Sequence, residues 1–240
     1  MPTLSSKSGH TKPNRRVLAY SLCHVTTVPQ SLNFFRGQVG YLQRCGFTVH
    51  TISSPNERLT RFGEQEHLAA HGVEMSRRIS PVRDLQAVIK LSKTLRRIHP
   101  DIVHAHTPKA GLLGMISAWI TRTPVRIYSI LGFPYMTATG RKRTLLRWTE
   151  KIACTLAHDV ICVSQSLRNV AVEDKICPPE KLKVLRGGSV NGIDAENRFA
   201  PNRFTQLDRV NARADLGIDP SDLVIGYVGR IVRDLSLIHI

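Results

Sequence analysis

Short runs of consecutive apolar residues alternate along this chain with longer segments of helical periodicity, and this alternation limits the possible folds more than any other feature. The apolar runs that predict strands are Val17–Val25, Phe47–Ser53, Ile102–His106, Val125–Ile130, Val160–Val163, Lys183–Leu185 and Leu223–Val228. Several are apolar at successive positions, which indicates burial on both faces of a sheet. The segments predicted as helices are Ser31–Cys45, Glu57–His71, Arg83–His99, Pro108–Thr121, Arg141–His158 and Gln165–Lys175. The pattern predicts an α/β fold, a doubly wound parallel sheet of Rossmann-like type with right-handed crossovers.

Turn-rich stretches set the expected domain boundaries. We expect a flexible tail at residues 1–14 and one Rossmann-like domain at residues 15–190. The turn-rich sequence at 187–194 leads into a linker assigned to residues 191–220. The strand predicted at Leu223–Val228 opens a second domain at residues 221–240, of which we expect the chain to contain only the start.

Composition narrows the functional classes. The 240 residues include 34 Lys and Arg against 18 Asp and Glu, a net charge of +16 that favours phosphorylated ligands, polyanions or an anionic membrane surface. With 42% hydrophobic residues the chain is not a disordered polyelectrolyte. The five cysteines form no C-x-x-C pair, which argues against a disulfide scaffold or zinc ribbon and suits a reducing cytoplasm. The longest apolar run, Ala110–Ile120, falls short of the roughly 20 residues of a membrane span.

Three strand–helix junctions carry polar residues that suit ligand binding. Ligands of open parallel sheets bind where the carboxyl ends of strands meet helix N-termini. Ser31, Thr107 and Ser164 are each predicted to cap the helix that follows, and free backbone N–H groups there attract anions. Most helix caps have only a structural role. The three junctions therefore indicate a ligand site only if the fold brings them together at one edge of the sheet.

Two histidines of one predicted strand are candidate metal ligands. His104 and His106 are two residues apart and therefore share a face of the strand. No third ligand with suitable spacing stands out, and zinc takes three or four, so we predict no metal site. We expect one imidazole to lie in the core and His106 to reach the cleft.

The segment Arg141–His158 is basic and amphipathic. Its charged residues, Arg141, Lys142, Arg143, Arg147 and Lys151, alternate with Leu145, Leu146, Trp148, Ile152 and Leu156. One interpretation is a solvated face on a helix packed against the core. The other is docking on an anionic membrane leaflet or beside a phosphorylated lipid.

An ordered set of motifs resembles bacterial glycosyltransferase family 4, particularly its capsular and exopolysaccharide branch. The motifs are T-V-P-Q-S-L-N-F-F-R-G-Q (27–38), P-D-I-V-H-A-H-T-P-K-A-G-L-L-G (100–114), T-A-T-G-R-K-R-T-L-L-R-W-T-E (137–150), V-S-Q-S-L-R (163–168), N-G-I-D (191–194) and Y-V-G-R (227–230). The resemblance covers residues 15–234 and implies the first half of a GT-B glycosyltransferase, with a truncated second domain.

The resemblance also implies an activity. A retaining hexosyltransferase of this kind moves a sugar from a nucleotide-sugar donor to a polyprenyl-diphosphate-linked saccharide acceptor, needs no metal or other cofactor, and works in the cytoplasm, peripheral to the inner membrane.

Site residues follow from matching the motifs. The resemblance implies donor contacts from Thr27, Pro29, Gln30, Ser31, Asn191, Gly192, Asp194, Gly229 and Arg230, and acceptor contacts from His106, Thr107, Lys109 and Ser164. His106 and Arg230 are the implied catalytic residues. A guanidinium at Arg230 would stabilise the negative charge that builds on the departing nucleotide diphosphate.

The sequence departs from the family pattern at two places. Leu131 stands where many relatives have histidine. After Asp234 the pattern requires Lys-Gly, but Leu235 and Ser236 follow, and residues 235–240 resemble translated sequencing-adaptor sequence. Because transfer requires both domains, we expect the chain alone to be inactive.

Two other functions fit parts of the sequence. A nucleic-acid-binding or polyanion-binding α/β protein suits the net charge, but only 6% of residues are aromatic and no nucleic-acid motif is present, so we expect no nucleic-acid partner. A GT-B-like nucleotide-sugar epimerase suits the architecture, and product analysis without acceptor would separate it from a transferase.

Overall fold

The fold is one parallel sheet covered by helices. The computed structural model describes residues 20–192, 194–197 and 199–226. The strands are β1 Ser21–Val25, β2 Thr48–Ser53, β3 Ala69–Gly72, β4 Ile102–His106, β5 Val125–Ile130, β6 Asp159–Cys162 and β7 Leu182–Val184. The α-helices are α1 Gln38–Arg44, α2 Glu57–Gln65, α3 Pro81–Ile98, α4 Pro108–Ile120, α5 Gly140–Leu156, α6 Gln165–Glu173 and α7 Gln206–Asp215.

The strand order places a crevice at the centre of the sheet. The seven strands lie in the order β3-β2-β1-β4-β5-β6-β7, and every pair is parallel. From β1 the chain continues through β2 and β3 to one edge of the sheet. It then returns to the centre at β4 and continues through β5 and β6 to β7 at the other edge. The order therefore reverses between β1 and β4, the position at which doubly wound sheets bind ligands.

Two hydrophobic clusters hold the helices against the sheet. The larger cluster includes Leu91 of α3, Met115 of α4, Cys154 of α5 and the inward residues of β4 and β5. The smaller one joins α1 and α2 to β1 and β2 and contains Leu32 and Phe35 from a 3-10 turn at Pro29–Phe35.

The predicted fold class is confirmed, and β4 and β5 have the predicted bounds. The single helix predicted at Ser31–Cys45 is wrong, because Gly37 has a φ of 78° and separates the 3-10 turn from α1. The helix predicted at Glu57–His71 ends at Gln65, and the chain returns as β3. At Gly63 a side chain would press on Ala70, so the absence of one lets α2 lie close to β3.

The region beyond β7 differs from the expectation. The described part of the strand predicted at Leu223–Val228, residues 223–226, has no regular secondary structure. Helix α7 lies within the stretch assigned to the linker, residues 191–220, and it begins with a capping box between Thr205 and Asp208. The predicted tail at 1–14, Gly229, Arg230 and residues 235–240 lie outside the described residues.

No helix among the described residues is long and apolar enough to cross a membrane.

Close packing of α4 on the sheet depends on Gly111. A Cβ at this position would overlap the ring of Tyr128 on β5, which is fully buried. Tyr128 in turn donates a hydrogen bond of 2.8 Å to Oε2 of Glu150 on α5. Gly111 therefore fixes the separation between α4 and β5.

Replacing Gly111 by alanine should destabilise the fold by about 1–3 kcal/mol, because either the ring of Tyr128 or the helix must move. Urea unfolding monitored by circular dichroism measures the change. Gly132→Ala is the matched control, since a Cβ there meets nothing within 4 Å and its effect should stay within about 0.5 kcal/mol. Equal effects of the two substitutions would contradict this packing.

Glu150 is a carboxyl group in the apolar core. Only 2% of its surface is exposed, and burial raises its pKa from 4.5 to about 7, against the opposing effect of the hydrogen bond from Tyr128. The folded protein therefore holds a proton here more tightly than the unfolded chain does.

Because the folded pKa is the higher one, the contribution of Glu150 to stability is complete below pH 4.5 and is lost as the pH rises through about 7. The free energy of unfolding of the wild type, relative to Glu150→Gln, should fall by roughly 3 kcal/mol over this interval. Urea titrations of both proteins at several pH values measure the difference, which removes the effects of other titrating groups. A constant difference would show that Glu150 does not titrate between these values.

Candidate functional site at the carboxyl ends of β1 and β4

Two threonines connect the strands at the crevice. Oγ1 of Thr27, after β1, lies 2.8 Å from Oγ1 of Thr107, after β4. The same Thr27 oxygen accepts a hydrogen bond of 3.1 Å from the backbone N–H of Ala110 in the first turn of α4. Thr27 therefore caps a helix that belongs to the neighbouring strand, and it fixes the β1 loop against the N-terminus of α4.

Thr107 does not cap α4 with its own side chain, so that prediction is wrong. Its φ of 71° is rare for a β-branched residue and turns its hydroxyl towards Thr27. Such strained residues persist only where the surrounding structure holds them, and they concentrate at functional sites. Pro108 begins the helix directly after it.

The other two predicted caps have different outcomes. Ser164 is confirmed as the cap of α6, since its hydroxyl accepts a hydrogen bond of 3.1 Å from the backbone N–H of Leu167. Ser31 is not a cap. It lies inside the 3-10 turn, where its backbone N–H bonds to the carbonyl of Val28. Within the same turn Pro29 is buried and Gln30 is exposed.

Lys109 has a structural role in this arrangement. Its ammonium group bonds to both carboxylate oxygens of Asp84 on α3, at 2.8 and 2.7 Å, and to the carbonyl of Arg78 at 3.1 Å. Three acceptors match the three donors of an ammonium group. Lys109 thus connects α4 to α3 and has no N–H left for a ligand.

Three histidines meet beneath the crevice. His24 of β1 lies directly beside His104 of β4 in the sheet register. Nδ1 of His24 is 3.0 Å from Nε2 of His106, and Nε2 of His104 is 2.8 Å from Oγ of Ser129. Phe35 stacks on His24 and lies 4.3 Å from His106 between ring centroids.

Contrary to expectation, His106 does not reach the open cleft, because only 2% of its surface is exposed. Burial lowers the pKa of all three imidazoles, with that of His24 lowered to about 4. The histidines are therefore neutral at pH 7. A neutral imidazole has one N–H, so one of the outer nitrogens, Nε2 of His24 or Nδ1 of His106, carries a buried N–H without an acceptor among the described residues.

The trio resembles a metal-ligand set only in spacing. One nitrogen from each ring lies within 4.8 Å of the others, and zinc binds neutral imidazoles. However, coordination through the facing nitrogens of His24 and His106 would protonate both outer nitrogens and leave two buried donors unpaired. Metal-bound histidines normally have an acceptor for that second N–H. The residues described here do not fit a zinc site.

A groove lies along this edge of the sheet. After β7 the chain crosses back, with the backbone N–H of Ser189 bonded to the carbonyl of Val163 at 2.7 Å and Nδ2 of Asn191 bonded to the carbonyl of Arg36 at 2.8 Å. An open groove of about 820 Å³, the carboxyl-edge groove, lies between this crossing segment, which includes residues 189–192, and residues 33–41. Its lining includes Asn33, Phe34, Arg36, Tyr41, Asn191, Gly192, Asp194 and Phe199.

The structure thus brings most of the predicted site residues to one edge. Thr27, His106 and Thr107 meet at the crevice, and Asn191, Gly192 and Asp194 lie on the groove. His24 and Phe35 were not predicted from the sequence as part of the site. Both depend on β1 lying beside β4, which the residues alone did not reveal; a histidine in a buried strand was the only available signal.

Comparison with known proteins agrees with this architecture. The sequence model of Glycosyltransferase Family 4 matches residues 34–196. The chain is 36% identical over 214 residues to the capsular polysaccharide biosynthesis glycosyltransferase CapM of Staphylococcus aureus, a match that spans 89% of the chain and 54% of CapM. It is 28% identical over 189 residues to the UDP-Gal:alpha-D-GlcNAc-diphosphoundecaprenol alpha-1,3-galactosyltransferase of Escherichia coli, covering 77% of the chain and 46% of that enzyme.

A solved structure shares the fold. HepE of Anabaena in complex with UDP superposes with a TM-score of 0.58 at 17% identity, covering 82% of this chain and 50% of HepE. The chain therefore spans about half the length of the relatives it matches. The matched family region contains most of the sheet and the carboxyl-edge groove, and the chain belongs to Glycosyltransferase Family 4.

Proposed function

We propose that this chain is the acceptor-binding half of a retaining hexosyltransferase of surface polysaccharide synthesis. The enzyme would transfer a sugar from a nucleotide diphosphate to a polyprenyl-diphosphate-linked saccharide. The observation that carries the proposal is the family match over residues 34–196, together with two relatives named for capsule synthesis and for transfer from UDP-Gal to a diphosphoundecaprenol-linked sugar.

The crevice supports this assignment by its geometry. The connection between Thr27 and Thr107 holds the β1 loop at the N-terminus of α4, where backbone N–H groups and the helix dipole favour negative charge. We assign the loop at 27–31 to the donor sugar-phosphate and the crevice near Thr107 to the acceptor. His106, covered by Phe35, supports the loop from below and contacts substrate only if Phe35 moves.

The remaining assignments follow from position. Asn191, Gly192 and Asp194 face the groove between the crossing segment and the β1 loop, so they are placed to contact a donor held above it. Ser164, which begins α6 beside the crossing segment, is retained as an acceptor contact. Gly229 and Arg230 are assigned to the donor diphosphate because they belong to the Y-V-G-R motif at 227–230.

The outer face of α5 supports docking on the inner membrane surface. Leu145, Trp148 and Ile152 recur at helical spacing and are 45%, 61% and 41% exposed. Arg141 and Lys142 precede this apolar stripe, and the ammonium group of Lys151 lies 5.8 Å from the Trp148 ring centroid. Apolar and aromatic residues flanked by basic ones are typical of helices that lie in a membrane interface.

Replacing Trp148 by alanine should lower binding to phosphatidylglycerol vesicles by about tenfold, because the indole would no longer enter the interface. Vesicle co-sedimentation at physiological salt measures the partition. Trp119→Ala is the matched control, since Trp119 is also exposed, at 57%, but belongs to α4 and not to α5. An equal loss with both variants would show that α5 is not the docking surface.

The proposed function is tested by direct binding without turnover. The 240-residue chain should bind a short-chain polyprenyl-diphosphate-linked N-acetylglucosamine in calorimetry, and UDP should not displace it, since donor and acceptor are assigned to different residues of the chain. Vesicle-free buffer separates this binding from membrane docking.

Two results would refute the proposal. One is binding of a single-stranded oligonucleotide of equal charge as tightly as the acceptor, with steep salt dependence, which would favour a polyanion-binding protein. The other is the absence of acceptor binding by a folded chain.

A further inference from the structure

A second pocket lies between the 3-10 turn at Pro29–Phe35 and α2. It encloses about 230 Å³, and its floor is formed by Pro29 and Phe62, both buried. We call this cavity the arginine pocket. The polar residues around its rim are Asn33, Arg36, Arg58, Arg61 and Gln65. Three of these five side chains carry a permanent positive charge.

Little negative charge compensates these arginines. Arg61 forms an ion pair with Glu57 one turn away on α2. Nη2 of Arg36 bonds at 3.3 Å to the neutral amide oxygen of Gln65, and Arg58 makes no ion pair within the part of the chain that the structure describes. The pocket therefore keeps a surplus of two positive charges when it holds no anion.

The position of Arg58 adds to this surplus. Asn56 caps α2, with its side chain accepting from the backbone N–H of Leu59, so Arg58 occupies the second position of the helix. The positive end of the helix dipole disfavours a cation in this turn. An arginine here does not stabilise its own helix, and its positive charge adds to the charge that an anion in the pocket would meet.

The arginine pocket opens beside the site already described. Asn33 and Arg36 line both the pocket and the carboxyl-edge groove. Arg36 directly follows Phe35, which contacts His24 and His106 beneath the crevice. An anion in the pocket would therefore be continuous with a ligand lying in the groove.

We propose that the arginine pocket binds the diphosphate group through which the acceptor saccharide is attached to its lipid. This inference rests on the proposed function. Guanidinium groups present paired N–H donors that match two phosphoryl oxygens, which makes arginine better suited than lysine to this group. Asn33 and Gln65 supply further amide donors at the rim.

The test is calorimetric titration of the 240-residue chain with inorganic pyrophosphate at 0.15 M salt, without any donor. Arg36→Gln/Arg58→Gln should weaken binding at least tenfold, and Arg58→Gln alone should weaken it by less. Arg96→Gln is the matched control, an exposed arginine on α3 whose loss changes the net charge equally; it should change the affinity by less than twofold. At this salt a distant charge is largely screened. Equal losses with Arg58→Gln and Arg96→Gln would overturn the proposal.

Vesicles distinguish a lipid headgroup from the acceptor diphosphate. Binding to phosphatidylglycerol vesicles should persist in Arg36→Gln/Arg58→Gln, because α5 is assigned to the membrane. If the double variant lost vesicle binding but kept pyrophosphate binding, the pocket would hold a bilayer headgroup and the proposal would be wrong. A chain that binds pyrophosphate through these arginines but not the saccharide-bearing acceptor would retain this site and refute the proposed function instead.

Discussion

The connection between Thr27 and Thr107 is the interaction on which the site depends. It joins the carboxyl ends of β1 and β4, the two strands between which the order of the sheet reverses. Because Thr27 also caps α4, the loop after β1 cannot move without exposing a helix terminus. The strained φ of Thr107 shows that the surrounding structure holds this geometry against its local preference. The β1 loop, the 3-10 turn that follows it and the groove above them are all positioned from this point.

The layers beneath the connection explain how such a polar site is supported. Phe35 contacts His24 and His106 of the neutral histidine trio and belongs to the same apolar cluster as Leu32 and Phe62. On the opposite face of the sheet, Gly111 lets α4 approach Tyr128 closely. The crevice therefore lies on elements that pack against the core, while the arginine pocket and the carboxyl-edge groove are formed by more exposed segments.

The sequence predicted β4 and β5 well because both are short segments, mostly apolar and β-branched, that turns separate from longer helical segments. It failed where tertiary contacts override local pattern. Gly37 divides a segment of helical spacing, and β3 forms from residues of weak strand preference because β2 offers an edge. Thr107 was expected to cap α4, the helix that follows it. The side chain that caps α4 is instead that of Thr27, which follows β1 some 80 residues earlier in the chain. His24 joins His104 only through strand pairing, which spacing along one strand does not reveal.

Hydrogen–deuterium exchange with a short-chain polyprenyl-diphosphate-linked N-acetylglucosamine locates the acceptor on the chain. If the acceptor binds at the crevice, exchange should slow at residues 27–38 and 105–111, where the β1 loop and the start of α4 meet, and should not change in α7 at Gln206–Asp215. Protection confined to α7 or to the far ends of the strands would contradict acceptor binding at the crevice, as would unchanged exchange throughout the described residues at saturating ligand.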